Sequence, residues 1–376
     1  MWIRSFLILS LTLGVPAGRG PTQVAPALEA ALAWMASAQR PDGGFSNGFS
    51  DASDPGTTAD VIAGVRSAGE DPLTWITAGQ TPLDYLESAA AVAQGWAGNP
   101  GLAAKVVRAV HALDRDPTEF GDEDLVAHVA AGFDPAFGLF GSGPYDSGLS
   151  LLALVDAGGP IPEGAVEGLL SARLEDGSFG FSGDRTPGAG DSNTTAIAVL
   201  ALLALGETDE VAASLDYFRS VQNEDGGWTY QKPGAFGEET DANSTALVIL
   251  ALAASGEDLS SWGDPVGALL TLQQPDGSFA FSASTPGGNL LATVQAIPAL
   301  AAAARQPVDP TATPTSTPVP PTKTALPTAA PATPVPAPLP SGAPGVGEGM
   351  VLAIVALTIT LGAALWLGRR GSDGGS

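Results

Sequence analysis

The chain has no cysteine, two histidines (His111 and His128) and three lysines among 376 residues. No disulfide, thiolate nucleophile, cysteine-ligated zinc or iron–sulfur cluster is therefore possible. Two isolated histidines leave little for a zinc site. Basic residues are scarce: Lys+Arg 15 against Asp+Glu 40 gives a formal net charge of -25. Phosphate backbones and anionic lipid need a basic patch that this composition lacks, which excludes nucleic acid as a partner. A neutral or cationic partner is easier to accommodate, and most of the acids serve to keep a surface soluble. Aromatics make up only 6%, and no two aspartates are adjacent anywhere in the chain. What the chain has in quantity is Ala and Leu within a hydrophobic content of 44%, a composition suited to many packed helices.

Both ends carry apolar runs. Arg4 is followed by an apolar stretch from Ser5 to Val15 and then Pro16, Ala17 and Gly18. This is the pattern of a signal peptide over residues 1–20, and the run is short for a membrane span. Met350–Leu367 is uncharged and almost wholly apolar, with Arg369 and Arg370 just after it. A transmembrane helix is expected at 349–368 with a short cytoplasmic tail at 369–376, the positive-inside rule placing everything before it outside the cell membrane. Between 307 and 348 Pro alternates with Thr, Ala and Val. Such a segment buries no core and reads as a disordered Pro/Thr-rich stalk.

Residues 21–306 are repetitive. Four loops share one signature: Gln39-Arg40-Pro41-Asp42-Gly43-Gly44-Phe45, Glu175-Asp176-Gly177-Ser178-Phe179, Gln222-Asn223-Glu224-Asp225-Gly226-Gly227-Trp228 and Gln273-Gln274-Pro275-Asp276-Gly277-Ser278-Phe279. Phe133-Asp134-Pro135-Ala136-Phe137-Gly138 is a weaker copy, and Gln94-Gly95-Trp96 a degenerate one. Six units of roughly forty-five residues fill the domain. In each, an amphipathic helix runs up to the Asp-Gly turn, where Gly permits the positive φ that ends it. A more apolar helix follows. Three of these begin alike, at Asp54-Pro55-Gly56-Thr57-Thr58-Ala59, Asp191-Ser192-Asn193-Thr194-Thr195-Ala196 and Asp241-Ala242-Asn243-Ser244-Thr245-Ala246. Asn289 precedes Thr293 in the same register, and another helix starts around Tyr145-Asp146-Ser147. Helices apolar all round are buried on all sides, while their partners keep a polar face. Two concentric layers follow, six inner and six outer helices closing a ring.

Q-x-x-D-G-[GS]-[FW] loops followed by D-x-x-[TS]-T-A helix starts resemble the prenyltransferase/squalene-cyclase repeat. The resemblance implies an all-α fold, an (α/α)6 toroid of six helical hairpins. That is the fold of squalene–hopene cyclases, protein prenyltransferase β subunits and cobalamin carriers. It does not imply one chemistry, since a toroid hosts several. Cyclases of the family use an Asp-x-Asp-Asp acid and line the cavity with aromatics, and other terpene synthases use Asp-Asp-x-x-Asp. Both motifs are missing here. Protein prenyltransferases need a zinc-ligating Cys, which is also missing. The acid pairs Asp114/Asp116 and Asp122/Asp124 lie in a polar segment between helices and read as solvated loop.

Asp54, Asp191 and Asp241 each precede a buried helix, where a carboxylate accepts from free N–H groups. The starts of the inner helices also converge on one mouth of a toroid. There Asp54, Thr57, Asp146, Asp191, Thr194, Asp241, Ser244, Asn289 and Gln295 are candidate ligand-binding groups, with Trp228 and Tyr230, and with Phe45 and Phe179, standing beside them. Polar residues around an apolar cavity fit a binding pocket. The expected function is a non-catalytic, membrane-anchored binding module for a small molecule, corrinoid or isoprenoid-like. The alternatives are a cyclase-like enzyme with unplaced acids and a structural or adhesive surface module whose partner is another surface protein. No metal is expected, and corrinoid is the one cofactor considered.

Overall fold

The inner helices start where the capping side chains place them. Oδ1 of Asp54, Asp191 and Asp241 each accepts from the backbone N–H three residues on, all at 2.7 Å, and Asn289 does the same at 2.9 Å. Asn99, followed by Pro100, caps a further helix through Leu102 N at 3.1 Å. Each such cap is worth about 1 kcal/mol.

The computed structural model describes residues 23–88, 95–234 and 237–306. The expected signal segment, stalk and transmembrane helix lie outside them, as does Gln94. Among the described residues no helix is long and apolar enough to cross a membrane. In chain order the helices are α1 (Val24–Ser37), α2 (Pro55–Ser67), α3 (Pro82–Leu86), α4 (Pro100–Ala112), α5 (Leu125–Ala131), α6 (Pro144–Asp156), α7 (Ala165–Ser171), α8 (Ser192–Ala204), α9 (Ala212–Val221), α10 (Ala242–Ala254), α11 (Pro265–Thr271) and α12 (Leu290–Arg305). The even-numbered helices form the inner layer. Each packs beside the next, and α12 packs against α2, so the ring closes. The odd-numbered helices surround them, with α1 against α12. The expected α/α toroid is the observed architecture.

One knot of hydrogen bonds recurs and explains the repeat. The aromatic residue of each Asp-Gly loop accepts a hydrogen bond at its carbonyl from the cap residue N–H: Phe45 from Asp54, Phe179 from Asp191, Trp228 from Asp241, Phe279 from Asn289, at 2.8–3.0 Å. Its own N–H donates to the hydroxyl four residues past the cap: Thr58, Thr195, Thr245 or Thr293. Ser147 plays this part for Phe140 at 2.8 Å. There the loop is replaced by a two-stranded hairpin, β1 (Phe133–Asp134) with β2 (Leu139–Phe140). The aromatic rings themselves are fully buried between the layers, each contributing about 1.5–3 kcal/mol of apolar burial.

The first residue of the loop signature joins one unit to the next. Gln39 Nε2 donates to its own loop at Gly43 O and onward to Trp75 O. Gln222 donates to Gly226 O and Trp262 O. Arg173 occupies the equivalent position in the fourth unit and reaches Glu210. Gln273, in the last unit, donates to Gly277 O and at 2.8 Å to Ala27 O of α1, closing the outer layer.

The inner helices all run away from the Asp-Gly loops. At their far end, the floor, Arg66 donates to Ala112 O at 2.8 Å, Arg108 pairs with Asp156 at 2.8 Å, and Arg305 donates to Ser67 O. These cations sit where helix dipoles are negative. Val24 begins α1 and Gln306 follows α12 at this same floor.

Candidate functional site

On five of the six inner helices the fourth residue supplies the hydroxyl that pins the outer loop, so it points away from the ring axis; Ala103 holds that position on α4. Two residues on, the helix has turned about 200°, and that position faces the lumen. It is occupied by Asp60, Lys105, Leu149, Ile197, Leu247 and Gln295 on α2, α4, α6, α8, α10 and α12. Burial agrees: Ala196, Ala198 and Val199 have no accessible surface, whereas Ile197 keeps 6% and Leu247 7%. One turn nearer the mouth lie Gly56, Gly101, Tyr145, Asn193, Asn243 and Leu291. One turn nearer the floor lie Ala63, Arg108, Leu152, Leu200, Leu250 and Pro298.

These rows divide the lumen into two unlike halves. Helices α12, α2 and α4 present Gln295, Asp60 and Lys105; α6, α8 and α10 present a wall of Leu and Ile. On the polar half Lys105 Nζ pairs with Asp60 Oδ2 at 2.6 Å, with a quarter of each side chain still accessible. Burial disfavours the Lys105 ammonium, but Asp60 above all, with Tyr145 and Asp54, outweighs it and holds its pKa above the usual lysine range. Gln295 Oε1 accepts from Asn243 Nδ2 at 2.8 Å, bridging the halves.

The mouth is built from the segments that follow each aromatic plug. Tyr230 O accepts from Ser192 N and Phe281 O from Ala242 N, both at 2.8 Å. The Phe181 carbonyl packs against Gly143 at the start of α6. Each segment thus crosses the start of the preceding unit's inner helix, putting Phe181, Tyr230 and Phe281 in a rim above α6, α8 and α10. The Tyr145 and Phe181 rings lie 5.4 Å apart. Beneath them is Asp191, only 1% exposed. Its Oδ1 caps α8, while Oδ2, with the Tyr230 hydroxyl beside it, accepts no well-formed hydrogen bond. Asn193 Oδ1 and Thr194 Oγ1 are likewise buried and unpartnered. Burial pushes the Asp191 carboxyl up to about 7, against the hydrogen bond from the Thr194 N–H, and Asp241 up to about 6. Burial and the Asp191 charge raise Tyr230 as well.

The candidate residues read from the sequence separate into two groups. Asp54, Asp191, Asp241 and Asn289 are helix caps. Thr57 and Ser244 donate to their own caps, so these hydroxyls are spent locally. Asp146 lies inside the first turn of α6 and accepts from Ser142 N and Oγ rather than capping a helix. Trp228, Phe45 and Phe179 do not stand beside the mouth: all three are fully buried between the layers. Trp228 Nε1 donates to Phe218 O at 2.8 Å, and its ring lies against Trp262. The knot needs a large apolar side chain facing away from the axis, and that need places them. Gln295 and Tyr230 keep surface towards the lumen. Lys105, Asp60, Tyr145, Asn243, Phe181 and Phe281 belong to the site without having been singled out. The aromatic two residues after the plugs Phe179, Trp228 and Phe279 was the one signal in the sequence that marked Phe181 and Phe281. Among the described residues no group of three His, Asp or Glu side chains is placed to hold a metal ion.

No protein-family model matches the chain, and no curated protein is similar to it. Solved structures share its fold. A protein from Actinoplanes is 17% identical over 74% of this chain and 99% of that one, with a TM-score of 0.54. A variant of the type II terpene cyclase MstE from Scytonema, bound to its substrate geranylgeranyl dihydroxybenzoate, is 13% identical over 76% of this chain and 98% of that one, with a TM-score of 0.57. An unsaturated glucuronyl hydrolase specific for heparin is 11% identical over 75% of this chain and 97% of that one, with a TM-score of 0.52. MstE and the hydrolase are α/α toroids.

Proposed function

We propose that this terpenoid-cyclase-like toroid is a receptor for a small amphipathic molecule, held in the lumen with its apolar part against α6, α8 and α10. The observation that carries the reading is the split wall: Leu149, Ile197 and Leu247 face Asp60, Lys105 and Gln295 across one ring. An apolar wall with a few convergent polar groups is the usual make-up of a ligand site. An isoprenoid-like chain suits the leucine half, and the same fold holds such a chain in MstE. Each buried methylene adds about 0.8 kcal/mol, so two suffice for roughly ten-fold in affinity.

The test is native mass spectrometry of the chain produced with export. A discrete bound mass supports a receptor, and its value separates an isoprenoid or lipid from a corrinoid. A bare protein that also ignores added polyprenyl alcohols and cobalamin removes the lumen reading and leaves a protein-binding surface module.

One observation favours a second, catalytic reading. Asp191 is a buried carboxyl with a raised pKa and an unpartnered oxygen, the make-up of a general acid. Turnover of a polyprenyl substrate that Asp191→Asn abolishes would establish it; no product from a panel of linear isoprenoids would remove it.

We place the toroid outside the cell, exported by residues 1–20 and anchored by 349–368. Protease added to intact cells tests this. Cleavage in the 307–348 stalk that releases the toroid supports the placement, and full protection overturns it.

A further inference from the structure

We infer that the rim formed by Tyr145, Phe181 and Tyr230 above the Asp191 carboxylate binds an organic cation of the quaternary-ammonium class. The inference names the polar end of the ligand proposed above, though its own probe needs no apolar tail. Four observations converge. First, aromatic rings gather here: Tyr145 and Phe181 lie 5.4 Å apart, and the Tyr230 hydroxyl stands beside Asp191. In a chain with 6% aromatics that is a concentration no helix-packing rule requires. Second, Tyr145, Phe181 and Tyr230 are only partly buried, so each keeps some surface for an incoming group. Third, Asp191 Oδ2 is buried beneath them with only the Tyr230 hydroxyl beside it, in poor hydrogen-bond geometry. A carboxylate in that position acts on a cation through its field, not by contact.

Fourth, the surrounding charge is negative. Asp54, Asp60 and Asp146 stand against Lys105, whose ammonium is already paired with Asp60 at 2.6 Å, and Asp191 adds its charge where it ionises. An anionic head group would meet this field unfavourably. A metal ion needs several oxygen ligands at once, and the described residues assemble no such set. Aromatic faces around a buried carboxylate suit a cation that carries its charge on methyl groups and needs no hydrogen bonds.

The experiment is calorimetric titration of the full chain with choline and with its neutral isostere 3,3-dimethylbutan-1-ol. Choline is expected to bind at least ten-fold more tightly, since desolvated cation–π contacts carry that much. Tyr145→Phe and Tyr230→Phe should keep the preference, because the ring faces remain. Tyr145→Leu and Tyr230→Leu should remove it. Asp191→Asn keeps the cap and should weaken choline several-fold while leaving the alcohol unchanged. Equal binding of the two probes, or no binding of either, overturns the inference. Extending choline to decyltrimethylammonium separates the two proposals. A choline preference without gain from the tail retains the cation site and removes the lumen receptor. A gain for decan-1-ol without choline preference does the reverse.

Discussion

Replacing Gly277 by Ala tests whether the ring is closed by contact between its first and last units. Gly277 has φ +94°, and a Cβ there would lie 2.3 Å from Ala30 O. Ala30 O is backbone in the middle of α1, so it cannot swing aside as a side chain would. Two costs add. Holding Ala at positive φ costs about 1–2 kcal/mol, and forcing α1 away from the loop costs a further 1–3 kcal/mol or so. Gly287 separates them: its φ is +108°, and a Cβ there meets nothing within 4 Å. Gly287→Ala should therefore lose only the first term. Urea unfolding of both variants gives the comparison, with Gly277→Ala expected about 2 kcal/mol less stable than Gly287→Ala at equal slope. Amide exchange gives the location: protection should fall in α1 and α12 while α6 and α8 keep theirs. Gly177→Ala, with its Cβ 2.1 Å from Ala213 O, should be as costly but loosen α9 instead. Equal stability of Gly277→Ala and Gly287→Ala would refute closure through this contact.

Thr195→Val leaves the Phe179 N–H buried without its acceptor at 2.9 Å. It should cost about 1–3 kcal/mol in denaturant unfolding, with Thr195→Ser recovering most of it. The Asp191 carboxyl sits near 7 in the fold against an ordinary 3.8. The folded chain therefore holds this proton more tightly than the unfolded one, and the stability it confers is complete below about pH 4 and lost as pH rises through about 7. Relative to Asp191→Asn, which keeps the cap acceptor, the wild type should lose on the order of 4 kcal/mol across that window. A pH-independent difference would refute the raised carboxyl.

The toroid was legible in the sequence because its repeat is a hydrogen-bonded knot with a fixed spelling. Gly must take positive φ, Asp must cap, Thr must pin the loop, and an aromatic residue must plug the gap. Each demand is local, so each leaves a residue type at a fixed offset. The second inner helix, α4, was harder to see because Asn99-Pro100 caps it with different letters. The site was far less legible. Asp191, Thr194 and Ser244 form a visible pattern, but capping already accounts for it, and Trp228 is visible only because the knot needs it. The lumen has no such grammar. Which face of an all-apolar helix such as α8 meets the axis depends on ring closure, and ring closure is not in any single repeat. Lys105 and Asp60 are forty-five positions apart on different helices, and nothing in the sequence between them shows that they pair.

Val24 at the start of α1 and Gln306 after α12 share the floor of the ring, where Arg66 and Arg305 hold the carbonyl ends of neighbouring helices and Arg108 holds Asp156. A cup mounted by its base is the mechanical equivalent. Whatever holds the chain through residues before Val24 or after Gln306 pulls on the base, and the opening keeps its outward aspect however long the stem. Load on the stem passes first into α1 and α12, the pair that seals the ring, so tension and ring closure are mechanically one problem.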